Sequence, residues 1–215
     1  MSRKWTRSSL QVYLVMGARP RGERSAAQVL RSAILGGVTC FQFREKELPV
    51  PQQLAIGREL RAVCREFGVP FLVNDRVDLA LLLEADGVHL GQDDIPVPEA
   101  RRLLGEHAVI GMSAGNPQEL EIALSMKPDY LGIGPVYATA TKGDAGAPIG
   151  TGLIAELRRQ SDLPVVGIGG IDASNAGPVL RAGADGVAVV SAIAAAADPQ
   201  AAAAEIRAAA AGYHH

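Results

Sequence analysis

Two apolar runs in this chain break off in the same manner. "FLVNDRVD" (71–78) passes from Phe71, Leu72 and Val73 into Asn74, Asp75 and Arg76, and "GVHLGQDD" (87–94) ends on Gln92, Asp93 and Asp94. An ionised carboxylate is costly to desolvate unless something pairs with it, so a buried strand seldom ends this way without a reason. Two such ends point to one shared site at one end of a sheet. Asp75 and Asp94 are hard oxygen donors of the kind that suit Mg2+, which takes one or two carboxylates and completes its octahedron with water and substrate phosphate. The competing reading for Asp75 is an N-cap of the next helix, a position that favours Asp. Asp78 and Asp93 read as structural or solvent-facing groups.

A second cluster lies in "TCFQFREKE" (39–47), where Phe41 and Phe43 alternate with Gln42, Arg44 and Lys46. Period-two alternation sends the aromatic residues to one face of a strand and the three polar residues to the other. An Arg fork and a Lys point charge on one face suit an anion. Farther along, "YATATKGDAGAPIG" (137–150) is long for a strand-to-helix loop and carries Thr139, Thr141 and Lys142. Loops of this length in compact domains are commonly lids or binding loops, and this one reads as a lid that closes on an anion, with disorder as the competing and compatible reading. "GIGGI" (167–171) and "VVSAI" (189–193) end two late strands, where Gly169 and Gly170 let backbone N–H groups approach a phosphate and Ser191 adds a hydroxyl. Ser113 ends another strand in "GMSAGN" (111–116) with no base near it in sequence, which gives a Ser–His–Asp triad little support. His89 sits on an expected strand and reads as a satisfied core histidine.

All of these clusters fall at strand ends, and the strands recur regularly. Short β-rich runs begin near residues 12, 39, 70, 87, 109, 130, 164 and 186, and each is followed by a helical pattern. In "PQQLAIGRELRAVCREFG" (51–68), for example, Leu54, Leu60, Val63, Cys64 and Phe67 share one face. Eight strand–helix units imply parallel strands, and eight is the number that closes a (β/α)8 TIM barrel, whose sites lie at the C-terminal ends of the strands. A doubly wound open sheet is the alternative. The reading is one domain, with a catalytic barrel over 12–211 after an N-terminal extension over 1–11. The alanine-rich tail is expected to supply the eighth helix, started by Pro199.

Composition narrows the partners. Lys and Arg number 21 against 23 Asp and Glu, so net charge does not point to nucleic acid. Cys40 and Cys64 are too few for a disulfide framework, and a reduced cytoplasmic setting is expected. "MSRKWTRSSL" lacks the apolar core of a secretory signal, and no apolar run approaches the ~18 residues of a membrane span.

Taken together, "QFREK", "VNDRVDLALLLEADGVHLGQDD", "GPVYATATK", "VVGIGGI" and "GVAVVSAI" resemble the thiamine phosphate synthase family, in the same order and from about residue 12 to 210. The resemblance implies a barrel enzyme that joins a hydroxymethylpyrimidine diphosphate to a thiazole phosphate and releases pyrophosphate. It implies that Gln42, Arg44, Lys46 and Asn74 contact the pyrimidine diphosphate, with Ser113 and Lys142 completing that site and Asp75 and Asp94 on Mg2+. Thr139, Ala140, Thr141, Gly170, Val190 and Ser191 would hold the thiazole phosphate. Arg44, Lys46, Ser113 and Lys142 are the catalytic candidates. Mg2+ and the three cations outweigh the two aspartates by about the charge of a diphosphate ester, an extrapolation from the charge of a phosphate group. Such a site would suit a departing pyrophosphate.

Two positions depart from the family pattern. Ala138 stands where the lid often has Pro, and Gly115 replaces a histidine common two residues after the serine. A related thiazole tautomerase resembles this fold and uses that histidine without the acidic pair, so this chain falls on the synthase side. A non-catalytic sensor of thiamine precursors and a generic phosphosugar barrel enzyme are rival functions for the same fold. The partners expected are small-molecule substrates, with no nucleic acid and no membrane; a homo-oligomer is left open.

Overall fold

The structure, a computed structural model, describes residues 5–20, 22–139 and 146–212. The site assignments at Ala140, Thr141 and Lys142 lie outside the described residues.

The eight β-rich runs form β1 (Val12–Met16), β2 (Cys40–Phe43), β3 (Phe71–Asn74), β4 (Gly87–Leu90), β5 (Val109–Ala114), β6 (Tyr130–Ile133), β7 (Val165–Ile168) and β8 (Gly186–Val189). All neighbours pair in parallel in sequence order, and β8 closes on β1. The chain is a closed (β/α)8 barrel, and the open-sheet alternative is excluded. Around it lie α1 (Ala26–Gly36), α2 (Val50–Phe67), α3 (Val77–Leu82), α4 (Val97–Leu104), α5 (Pro117–Met126), α6 (Gly152–Gln160), α7 (Ala176–Arg181), α8 (Ser191–Ala194) and α9 (Pro199–Ala211). Among the described residues no helix is long and apolar enough to cross a membrane.

Strand alternation divides the apolar residues into two cores. Phe41 and Phe43 join Leu60, Val63 and Cys64 of α2 in the layer between strands and helices. Cys40 turns inward with Tyr13, Leu72, Tyr130, Val166 and Ala188. The interior is crowded by Tyr130 and His89, and two inward glycines make room for them. A Cβ at Gly111 would lie 2.2 Å from the Tyr130 ring, and one at Gly132 would lie 3.0 Å from the His89 ring.

The lower rim of the barrel repeats one device four times. The residue before each even strand accepts a hydrogen bond from the first or second N–H of the preceding odd strand. Thr39 accepts from Val12 at 3.0 Å, Asp86 from Phe71 at 2.8 Å, Asp129 from Ile110 at 2.6 Å and Asp185 from Val165 at 2.8 Å. Each aspartate also pairs with an arginine of the helix that precedes the odd strand: Arg61 of α2 to Asp86, Arg101 of α4 to Asp129 and Arg158 of α6 to Asp185. The carboxylate thus satisfies an orphan strand-end donor and ties a helix to the barrel at once. Below it, a 3-10 turn over Arg7–Leu10 places the fully buried Leu10 against the inner core, and the Trp5 ring stands 5.4 Å from that of Tyr130.

At the C-terminus Pro199 opens α9 as expected, with Asp198 capping the N–H groups of Gln200 and Ala201. The strand expected to run to residue 193 ends at Val189, however. Val190 turns the backbone, with ψ −87°, into the short helix α8, so two helices follow β8.

Candidate active site

Asp75 follows β3 directly, and its N–H donates to the His89 carbonyl at 2.8 Å. Its φ of +60° is left-handed, a conformation that Asp adopts more readily than most residues. Helix α3 takes Arg76 as its N-cap, without a side-chain capping bond, so the Asp75 carboxylate is not a cap. It faces Asp94 instead. Burial first, and then contact with the Asp94 carboxyl, raise its pKa above the ordinary carboxylate range, with Lys46 and Arg44 opposing the shift. Lys46 Nζ is 3.6 Å from Asp75 Oδ2. Asp94 accepts the Gly91 N–H at 2.6 Å, which holds its carboxylate in the turn after β4.

Two carboxylates pressed together and partly desolvated are an arrangement that a hard divalent cation relieves. Among the described residues no group of three His, Cys, Asp or Glu is placed to hold a metal ion. The donor set therefore fits a cation that keeps most of its sites for water and substrate. Asp78 pairs with Arg76 at 2.7 Å, and Asp93 is exposed, as expected.

Glu45, between the two cations, carries a role that spacing alone did not assign. Its carboxylate accepts the N–H groups of Ala18 at 2.9 Å, Glu47 at 2.8 Å and Leu48 at 3.2 Å. Burial alone would raise its pKa; these backbone donors, with that of Lys46, hold it below the usual range. The loop carrying Arg44 and Lys46 is thereby pinned to the end of β1. An acid between two cations in "REK" was the available signal.

Gln42 faces inward as expected but lies deeper than the mouth, at 4% exposure. Its Nε2 donates to the Tyr13 hydroxyl at 2.8 Å, and the Tyr13 and Tyr130 hydroxyls are 2.8 Å apart. Tyr130 in turn meets His89 Nδ1 at 2.8 Å, and His89 Nε2 meets Ser113 Oγ at 2.9 Å. His89 is the satisfied core histidine expected. Spacing along the chain shows no base near Ser113, but pairing of β4 with β5 brings His89 beside it. The third group is a phenol rather than a carboxylate, so a Ser–His–Asp triad remains absent among the described residues. Asn74, half-buried, ends β3 opposite His89.

On the other side of the mouth, Gly169 and Gly170 have φ of +99° and +64°. A Cβ at Gly170 would lie 2.5 Å from the Ala138 carbonyl oxygen, so the segment after β6 passes directly over a residue that must be glycine. The Tyr137 N–H donates to the Gly169 carbonyl at 3.0 Å and its hydroxyl to the Asn175 carbonyl at 3.1 Å. The chain returns through the N–H groups of Ile149 and Gly150, which donate to Pro135 and Val136. Thr139 and Val190 are half-buried and Ser191 is exposed. The site candidates on described residues therefore lie at or just inside the C-terminal ends of the strands.

Residues 12–193 match the model of a family described as thiamine monophosphate synthase. The chain belongs to the thiamine monophosphate synthase family. A thiamine-phosphate synthase of Moorella thermoacetica is 47% identical over 196 residues, covering 91% of this chain and 93% of that one. One from Chloroflexus aurantiacus is 50% identical over 198 residues, covering 92% and 91%. Among solved structures, a thiamine phosphate pyrophosphorylase from Pyrococcus furiosus superposes with a TM-score of 0.87 at 36% identity, covering 97% of this chain and 99% of that one. As a member of this family the chain is a transferase of thiamine biosynthesis, acting on small-molecule substrates.

Proposed function

We propose that this transferase joins 4-amino-2-methyl-5-hydroxymethylpyrimidine diphosphate to a thiazole phosphate, giving thiamine phosphate and pyrophosphate in a Mg2+-dependent reaction. The observation that carries the reading is the facing pair Asp75 and Asp94 with Lys46 3.6 Å away and Arg44 close enough to shift the Asp75 pKa. Asp75 and Asp94 would hold the metal, which would supply positive charge to the diphosphate oxygens. Arg44 and Lys46 bind the same diphosphate, the Arg as a fork and the Lys as a point charge. Lys142 would add a third cation from the lid.

The bond between the pyrimidine methylene carbon and the diphosphate oxygen breaks first, and its electron pair leaves with pyrophosphate. The aminopyrimidine ring delocalises the positive charge left on carbon. The thiazole nitrogen then donates its lone pair to that carbon, closing the new C–N bond. Gln42, Asn74 and Ser113 orient the pyrimidine, while Gly170, Val190, Ser191 and the lid residues Thr139, Ala140 and Thr141 hold the thiazole phosphate for in-place capture. Closure of the lid would exclude water that competes for the cation. The chain supplies positioning and electrostatic stabilisation, and no general base is needed.

Incubation of the chain with both substrates and Mg2+ should yield thiamine phosphate and pyrophosphate in equal amounts. Excess chelator should stop the reaction, and Mg2+ should restore it. Undiminished synthesis in chelator would remove the metal from the mechanism.

A further inference from the structure

The hydrogen-bonded chain through the barrel interior has a polarity. Gln42 Nε2 is an amide donor, so the Tyr13 oxygen accepts at that end. Burial pushes both phenols well above their ordinary pKa range, so each keeps its one proton. The Cys40 thiol also meets the Tyr13 hydroxyl but is the weaker acceptor. With its oxygen accepting from Gln42, Tyr13 therefore donates to Tyr130, and Tyr130 donates to His89 Nδ1. In a neutral imidazole, an accepting Nδ1 leaves the proton on Nε2. Nε2–H then donates to Ser113 Oγ, and the serine proton is released toward the barrel mouth.

We propose that Tyr13 and Tyr130 are positioning residues of the transferase, fixing His89 as its Nε2–H tautomer and making Ser113 a hydrogen-bond donor to the pyrimidine diphosphate. The proposal rests on Ser113 belonging to the pyrimidine site. The barrel is built around this chain. Gly111 and Gly132 lack the side chains that would collide with the Tyr130 and His89 rings, and the His89 and Tyr130 centroids are 5.4 Å apart. The opposite orientation of the Gln42 amide would reverse every donor, place the proton on Nδ1 and leave Ser113 donating to His89. The two orientations make opposite predictions about one observable atom.

Long-range proton–nitrogen spectra of histidine-labelled protein read that tautomer directly, with a His89→Gln variant assigning the signal among the four histidines. The expected result is Nε2–H in the unmutated protein. Tyr130→Phe, which keeps the ring and removes the hydroxyl, should give a mixture of tautomers. It should also lower kcat/KM for the pyrimidine diphosphate about tenfold, the worth of one hydrogen bond, while the KM for thiazole phosphate stays unchanged. In a Ser113→Ala background the same substitution should cost nothing further, because its effect runs through that hydroxyl. Tyr13→Phe should act in the same direction and serves as the second variant if Tyr130→Phe folds poorly. An Nδ1–H tautomer in the unmutated protein, or losses that simply multiply in the double variant, would overturn the proposal. Absence of thiamine phosphate from the unmutated reaction would count against the proposed condensation, and is read separately from the tautomer.

Discussion

Asp75 combines a left-handed backbone with a carboxylate forced against another carboxylate. Ala at this position would change both features together, whereas Asn tolerates the same φ and removes only the charge. Asp75→Asn and Asp94→Asn should each lower turnover at least tenfold, about 1.4 kcal/mol in barrier, without altering the far-ultraviolet circular dichroism spectrum. Steady-state rates at saturating Mg2+ would show it, and retention of full turnover by either variant would remove that carboxylate from the site. A pH dependence follows from the raised Asp75 pKa. Within the window between the unfolded and the raised folded pKa, the folded protein binds more protons, so stability falls as pH rises through it. In metal-free protein, Asp75→Asn should therefore raise the midpoint of thermal unfolding at neutral pH. The gain should vanish below the ordinary carboxylate range, where both forms are neutral at this position. Added Mg2+ should stabilise the unmutated protein and reverse the order. An Asn variant less stable than the unmutated protein at neutral pH, without metal, would show that Lys46 outweighs Asp94.

At the scale of elements, the lower rim carries the strand–helix units. Asp86 takes both Arg61 terminal nitrogens, at 2.9 and 3.2 Å, together with the Phe71 N–H. Asp86→Ala leaves a largely buried guanidinium and a strand-end donor without their acceptor, and should cost about 3 kcal/mol in stability. Turnover per folded molecule should be preserved, because this rim lies at the opposite end of the strands from the mouth. Urea titration paired with an activity assay separates the two effects. The signal present in the sequence is the repeat itself: "EADGVHL" and "GADGVAVV" place an aspartate before an even strand, and arginines stand on the helix one unit earlier. The Arg–Asp pairing itself was not legible, because helix rotation decides which of several arginines on α2 or α6 faces the rim.

For the whole molecule, the proposed site would join the ends of β2, β3, β4 and β5 on one side of the mouth to those of β6, β7 and β8 on the other. A ligand that bridges them should stabilise the barrel as a unit. Mg2+ with pyrophosphate at a hundred times Kd contributes about 2.7 kcal/mol, or roughly 5–10 °C in the thermal midpoint of a chain this size. Either component alone should give a smaller rise, since the carboxylates need the cation before they can accept an anion. A thermal-shift series crossing the two ligands tests this. An equal rise with pyrophosphate alone would place the anion on Arg44 and Lys46 without the metal.

Period-two alternation in "CFQF" determined by itself that Gln42 faces the barrel and the phenylalanines face the helices, because successive side chains on a strand must point to opposite sides. Eight strand–helix repeats pointed to a barrel, and the pairing of β8 with β1 decided its closure against an open sheet. Which inward side chains meet was decided only by the tertiary structure. His89 lies opposite Gly111 and two positions short of Ser113, a relation set by strand register and barrel shear rather than by spacing along the chain. The same closure placed Lys46 beside Asp75 and buried Gln42 against Tyr13. Alternation tells which face a residue occupies, but its partner across that face depends on how every strand is staggered around the barrel.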